Sequence, residues 1–239
     1  MNHTGVTFGS FHSFAEWGLR LKKVEIGTPE LKKILVDVPG GSGVLDLSRS
    51  LTGNMEYGPR TLTFYFDARN CNYYRWADLL SNIAGKIHGM RDRIILDIDS
   101  TYYYDGLIEV SSQKSNEVTA EVVITAECQP YKMEMYSSLE DWLWDPFDFE
   151  NGIVREYGNL RVNGSLSFVI EGRRKPVVPK FTVVSDDGNG LKVRLNNGTT
   201  YTLADGTSRV INLNIVEGTN TLHFTGNGTV SIDYRGGIL

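Results

Sequence analysis

The chain has 239 residues, 41% of them hydrophobic and 22% charged, with a formal net charge of −5. That length suits one large domain or two ordinary ones, and the share of apolar residues excludes a disordered chain. The negative balance argues against a broad cationic face for nucleic acid, because that mode needs clustered Lys and Arg to displace counterions.

Other features of composition point to β structure. There are 25 glycines against 7 prolines, with 10 Phe and 12 Tyr, and aromatic residues fit a pleated, half-buried surface while glycine supplies turns. The first residues, Met-Asn-His-Thr-Gly, lack the charged and apolar regions of a signal peptide. No apolar run approaches the ~20 residues that span a bilayer. The expectation is a soluble product made in the cytoplasm, with no membrane partner. Cys71 and Cys128 show no CxxC or Cys/His spacing, which suits a reducing compartment or plain core packing.

In chain order, residues 33–38 and 61–67 alternate as strands do. Between them Pro39-Gly40-Gly41-Ser42-Gly43 makes a flexible turn, followed by a polar stretch to Pro59. Residues 40–59 are too long for a tight hairpin and are expected to form an extended arm, a kind of segment that is usually functional. Trp76, Leu79, Leu80, Ile83 and Ile87 then recur at spacings of three and four, which predicts a helix over 73–87 with Asn72 as its cap. Residues 117–128 form the clearest strand, with Val118, Ala120, Val122, Ile124, Ala126 and Cys128 on the inward face. Gln129-Pro130-Tyr131 ends it, because proline cannot donate to the ladder.

Residues 139–150 mix aromatics with acids and show no period. They read as part of a connection, 136–156, in which Trp142, Trp144 and Phe147 wedge between domains. From 157 on the chain reads as short strands separated by turn signals, the pattern of a sandwich. Asn163-Gly164 and Asn197-Gly198 are expected to be type I′ hairpin turns. Leu222/Phe224 and Val230/Ile232/Tyr234 read as separate strands, and Ile211/Leu213/Ile215 as another. The predicted organisation is mainly β: an N-terminal β-sandwich over 1–135 with one helix and the arm, the connection, and a second β-sandwich over 157–239.

Chemistry-bearing arrangements are scarce. His12-Ser13 with Asp37 or Asp46 has the residue types of a Ser/His/Asp set, but adjacent residues of an extended segment point to opposite sides. Asp97 and Asp99 read as two positions on one strand face beside buried Ile94, Leu96 and Ile98. Asp186-Asp187-Gly188-Asn189-Gly190 resembles a calcium loop in composition only and reads as a hairpin turn. Arg173-Arg174-Lys175 reads as a solvated basic loop. His3, His12, His88 and His223 show no ligand spacing, and no Walker loop or dinucleotide fingerprint is present. No catalytic, cofactor or metal site is expected, and the chain reads as a non-enzyme. The alternative is a carbohydrate-binding module contacting host cell-wall saccharide through exposed aromatics.

The order of features resembles the distal tail proteins (Dit family) of siphophages and related prophages of Gram-positive bacteria. The resemblance runs from Phe8 and His12-Ser13 through Ile26-Gly27-x-Pro29, then Val38-Pro39-Gly40 with Gly43 and Asp46, to Tyr57-Gly58-x-Arg60. It continues with the Trp76 helix, Asp99…Tyr102-Tyr-Tyr-Asp-Gly106 and Cys128-x-Pro130-Tyr131. Glu217-Gly218-x-Asn220 and Ile232-Asp233-Tyr234-Arg235-x-Gly237 close it. The resemblance implies a galectin-like C-terminal sandwich and a hexameric hub ring, single or stacked as a double ring, at the distal end of a phage tail. Its implied partners are the tail tube protein, a tail-associated fibre or lysin protein and a receptor-binding protein, with DNA only passing through the channel. Residues 40–59 would embrace the neighbouring subunit, which makes Asp46, Leu47, Leu51, Met55, Tyr57 and Arg60 the subunit-interface candidates.

Overall fold

The computed structural model describes residues 4–50, 53–68, 73–115, 120–140 and 156–239. The chain divides into two compact units, residues 1–132 and 133–239, each with its own apolar core.

The first unit is built from β1 (Val6–Phe8), β2 (Phe11–His12), α1 (Ser13–Trp17), β3 (Arg20–Ile26), β4 (Leu35–Asp37), β5 (Val44–Asp46), β6 (Arg60–Asp67), α2 (Tyr73–Ile87), β7 (Arg91–Leu96), β8 (Tyr102–Ser115) and β9 (Ala120–Cys128). Apart from β4 and β5, the strands join in the order β2-β1-β7-β8-β9-β6-β3. Phe8 of β1 meets Phe64 of β6 edge to face at 5.4 Å, although these strands are separated by β7, β8 and β9 in that order. The sheet therefore curls until its two ends face one another across a core. Alternation drives this burial: β6 buries every second residue, and in β9 Val122, Ile124, Ala126 and Cys128 point inward. Helix α2 has the predicted bounds and lays Trp76, Leu80, Ile83 and Ile87 into the same core. Its expected cap Asn72, and Val118 of the predicted strand, lie outside the described residues.

Two expectations for this unit need correction. Residues 97–99 are a 3-10 turn at the end of β7, so Asp97 and Asp99 do not share a strand face, and Ile98 is 66% exposed where a buried residue was expected. Residues 35–37, read as an ordinary strand, are exposed throughout and pair only with β5.

The second unit comprises β10 (Lys132–Glu134), β11 (Leu160–Gly172), β12 (Lys180–Ser185), β13 (Leu191–Leu195), β14 (Thr200–Leu203), β15 (Gly206–Arg209), β16 (Gly218–Asp233) and β17 (Gly237–Ile238). Its spine is a long antiparallel ribbon, β11 against β16, paired from Leu160↔Val230 to Gly172↔Gly218. On its other edge β16 carries β13 along residues 222–225 and β12 along 228–233. Both sets of strands feed one core, where Phe181 of β12 meets Phe224 of β16 edge to face at 6.1 Å. A single bent ribbon thus contributes strands to both halves of a sandwich.

The bend explains a second group of corrections. Asn163-Gly164 is not a hairpin turn: it sits inside β11, where Asn163 faces Asn227 and Gly164 faces Gly226. Gly164 has φ +75° and Gly226 φ +128°, conformations that side chains disfavour, and the Asn227 Oδ1 accepts the Gly164 N–H at 2.9 Å. Residues 222–224 and 230–232 consequently belong to one strand, not two. Residues 186–190 form a loop between β12 and β13, which do not pair with each other, so the loop is no hairpin. Residues 211–215 form no strand; Leu213 and Ile215 are buried, and Ile215 makes an isolated bridge with Val177. Asn197-Gly198 does lie in the β13–β14 turn, but the left-handed residue is Asn196 (φ +49°). A type I′ turn, with positive φ at both central residues, is not formed there.

The basic run 173–175 is also not a simple solvated loop. Arg173 donates through Nε to Glu134 Oε1 at 2.9 Å, and the Gly236 N–H donates to Glu134 Oε2 at 2.9 Å. Glu134 is buried, so this carboxylate ties β10 to both the β11 exit and the C-terminal segment.

Candidate assembly surface

Strands β3 and β6 are antiparallel neighbours, and the described residues between them form one excursion. Its base is closed by the Gly27 N–H to the Thr61 carbonyl (2.9 Å), the Gly58 N–H to the Glu30 carbonyl (2.8 Å) and a bridge between Leu31 and Tyr57. Beyond the base, β4 and β5 form a separate two-stranded hairpin in register Leu35↔Asp46, Val36↔Leu45 and Asp37↔Val44. Gly40 (φ +79°) and Gly43 (φ +88°) turn its tip. The arm therefore exists, but it begins near Leu31, and both legs belong to it.

Local polar bonds hold the hairpin where no core supports it. The Leu47 N–H donates to the Ile34 carbonyl (2.8 Å), the Ile34 N–H to Ser48 Oγ (2.9 Å) and the Ser48 N–H to Asp46 Oδ1 (2.9 Å). The hydroxyl and amide of Ser48 hold the Asp46 carboxyl below its ordinary pKa. Asp46 is thus engaged within the arm.

What the arm presents is apolar. Leu31, Ile34, Leu35, Val36, Val38, Val44 and Leu45 are all between 43% and 53% exposed. A lone two-stranded hairpin is marginal in water, and contiguous exposed apolar groups mark an interaction surface. These residues went unmarked in the sequence, although 33–38 carried the signal as an alternating apolar run.

Among the interface candidates, Asp46 and Leu47 lie on the second leg. Met55 and Tyr57 are half-buried near the base, where Tyr57 meets Tyr131 edge to face at 5.8 Å. Arg60 departs from the expected surface position: it is 6% exposed, paired in register with Cys128, with its guanidinium over the Tyr104 ring at 5.7 Å. Leu51, Trp142, Trp144 and Phe147 lie outside the described residues.

The catalytic candidates resolve differently. Asp37 and Asp46 lie on the arm, whereas His12 pairs through Nε2 with Asp97 Oδ2 at 3.1 Å. The other ring nitrogen accepts the Ala15 N–H at 3.1 Å and caps α1, while Asp97 Oδ2 also accepts the Gly5 N–H at 2.7 Å. Ser13 is fully buried, its Oγ accepting the Val6 N–H at 3.0 Å. Both imidazole nitrogens and the hydroxyl are committed to structure, so no base–nucleophile pair is formed. Asp97 lies 85 residues from His12 and reaches it only because β1 pairs with β7. Asp99 binds Lys132 instead. Among the described residues no group of three His, Cys, Asp or Glu stands close enough to hold a metal.

Cys128 is buried in the core, and burial pushes its thiol up to about 12. Because only the thiolate is nucleophilic, Cys128 is expected to stay unmodified by iodoacetamide at pH 8 while the chain is folded. Mass spectrometry of its peptide before and after denaturation checks this; labelling in the native protein would refute it. The raised pKa also means that this residue's stabilising contribution is present below pH 9 and is lost as pH rises towards 12.

No family model matches the chain, and no curated protein matches it in sequence. A search of solved structures finds the crystal structure of the SPP1 Dit (gp 19.1) protein, described as a paradigm of the hub adsorption apparatus in phages infecting Gram-positive bacteria. The likeness has a TM-score of 0.65 at 10% sequence identity and covers 97% of this chain and 98% of that one. Over nearly its whole length the chain has the fold of the SPP1 Dit protein.

Proposed function

We propose that this chain is a non-enzymatic hub subunit of a phage tail tip, a distal tail protein that assembles into a closed hexameric ring. The observation that carries this reading is the apolar arm. Exposed side chains on a hairpin outside the core require a cover, and a second copy of the chain supplies one. A contact in which the arm of one copy lies on a different surface of the next is heterologous, and rotation must close it into a ring. The fold shared with a hub protein of Gram-positive-infecting phages supports the same reading.

In this role the ring sits at the distal end of the virion tail, after synthesis in the host bacterial cytoplasm. It joins the tail tube protein to the tail-associated fibre or lysin protein and to receptor-binding proteins. The second unit is a galectin-like sandwich on the ring's outside. Asp46, Leu47, Met55 and Tyr57 belong to the arm and its base and, with Leu51, are the candidates for the subunit contact. DNA passes through the channel without specific binding, consistent with the net charge of −5. No helix among the described residues is long and apolar enough to cross a membrane.

Light scattering of the purified chain tests the assembly. A mass of six or twelve times 26.8 kDa is expected, and a monomer at every concentration overturns the proposal.

A further inference from the structure

The second unit carries a half-open depression of about 460 Å³ that the hub reading leaves unused. It is bounded by residues 133–140, by the chain at 175–178, by Arg209 at the end of edge strand β15, and by 233–235. The volume is that of a small-molecule site. Pro176, Val177, Val178, Tyr234 and Ser137 are among its lining residues, and more of the lining surface is polar than apolar.

Charge is unevenly compensated within it. Its carboxylates are already matched: Glu140 pairs with Arg235 at 3.2 Å, and Asp233 with Lys180 at 2.9 Å. Lys175 and Arg209 have no carboxylate partner among the described residues. Among the described residues the Lys175 ammonium donates only to the Met133 thioether at 3.5 Å, and a thioether is a weak acceptor.

Lys175 is nevertheless held in place. Its backbone N–H donates to the Gly237 carbonyl at 2.9 Å. Its stem lies so close to Gly237 that a Cβ there would stand 3.1 Å from Lys175 Cδ and 2.9 Å from the Met133 sulfur. Holding a cation by its stem while its charge stays unmatched is an arrangement suited to an incoming anion.

We propose that this depression binds a phosphate-bearing sugar or polyol, with the phosphate on Lys175 and Arg209 and the carbon skeleton against Pro176, Val177 and Val178. Two separate cations suit a phosphate, which accepts on several oxygens at once. The mixed polar and apolar lining beside them favours an ester, whose hydroxyls and carbon skeleton it can contact, over the free ion.

The test is calorimetric titration of the full chain at low salt with glucose 6-phosphate, and in separate arms with glucose and with inorganic phosphate. The proposal expects the ester to bind, inorganic phosphate to bind more weakly and glucose to give no signal. Lys175→Met/Arg209→Gln should lose at least about tenfold in affinity for the ester, whereas Lys192→Met/Arg194→Gln, which removes the same two charges elsewhere in the unit, should not. Thermal melts check the fold, and Arg209→Gln alone serves if the double variant melts early. Equal affinity in wild type and variant, or no binding of the ester by wild type at millimolar concentration, overturns the site. Equal binding of inorganic phosphate overturns the role of the mixed lining.

Discussion

Val36→Ser/Leu45→Ser is expected to dissolve the ring while leaving the subunit folded. The two residues are direct cross-strand partners on the arm, and both are exposed in the single chain. Exposed positions contribute little to subunit stability, so the melting temperature of the dissociated subunit should stay where the wild-type subunit melts. If the arm is covered in the assembly, each side chain, about half exposed in the single chain, gains about 0.8–1.5 kcal/mol by burial there. Losing both weakens each contact by roughly tenfold to a hundredfold. Sedimentation at micromolar concentration should show the variant as a monomer where the wild type is a ring. An assembled variant with unchanged dissociation would place the contact elsewhere.

The second large effect concerns the integrity of the second unit. Glu134→Ala removes one carboxylate that satisfies both Arg173 and the Gly236 N–H, each at 2.9 Å. Breaking a buried pair costs about 3–5 kcal/mol. The lower end applies, because the Arg173 side chain keeps 19% exposure. For a unit of this size the loss lowers the melting temperature by more than about 10 °C. Glu134→Gln, which keeps an acceptor but not the charge, should fall in between. A shift of under about 2 °C for Glu134→Ala would show that the pair contributes little. Relief at Gly236 is not available as compensation, since a Cβ there would stand 2.6 Å from Arg173 Cγ.

How far the fold was legible follows from how far each signal is local. Helix α2 was legible to its bounds, because its apolar residues repeat at helical spacing and nothing distant is needed to explain them. Strand β9 was legible for the same reason at period two, Cys128 included. The Asn-Gly dipeptide at 163 misled, because the φ > 0 that marks a hairpin turn serves equally to bend a continuous ribbon. Only the pairing Gly164↔Gly226 distinguishes the two uses. The Glu134–Arg173 pair was hidden for a related reason: a basic run looks solvated until its carboxylate, 39 residues upstream, is brought beside it.

The assembly surface was half legible. Length and polarity marked an arm at 40–59, but the apolar run at 33–38 was assigned to a core strand because apolar alternation ordinarily signals burial. Here it signals a surface awaiting a partner, with Val36 and Leu45 opposed across a hairpin that has no core behind it. Arg60 shows the converse. A charged residue at the end of a polar segment looked like surface, yet it begins β6 on the inward-facing phase of that strand and closes the core against Tyr104.

The central claim is that copies of this chain close into a ring through the arm, and electron microscopy of the purified protein in negative stain tests it most directly. The account predicts closed rings with six-fold symmetry, single or stacked in pairs, and their loss in Val36→Ser/Leu45→Ser. Isolated subunits, or open-ended tubes, in wild-type samples would contradict it.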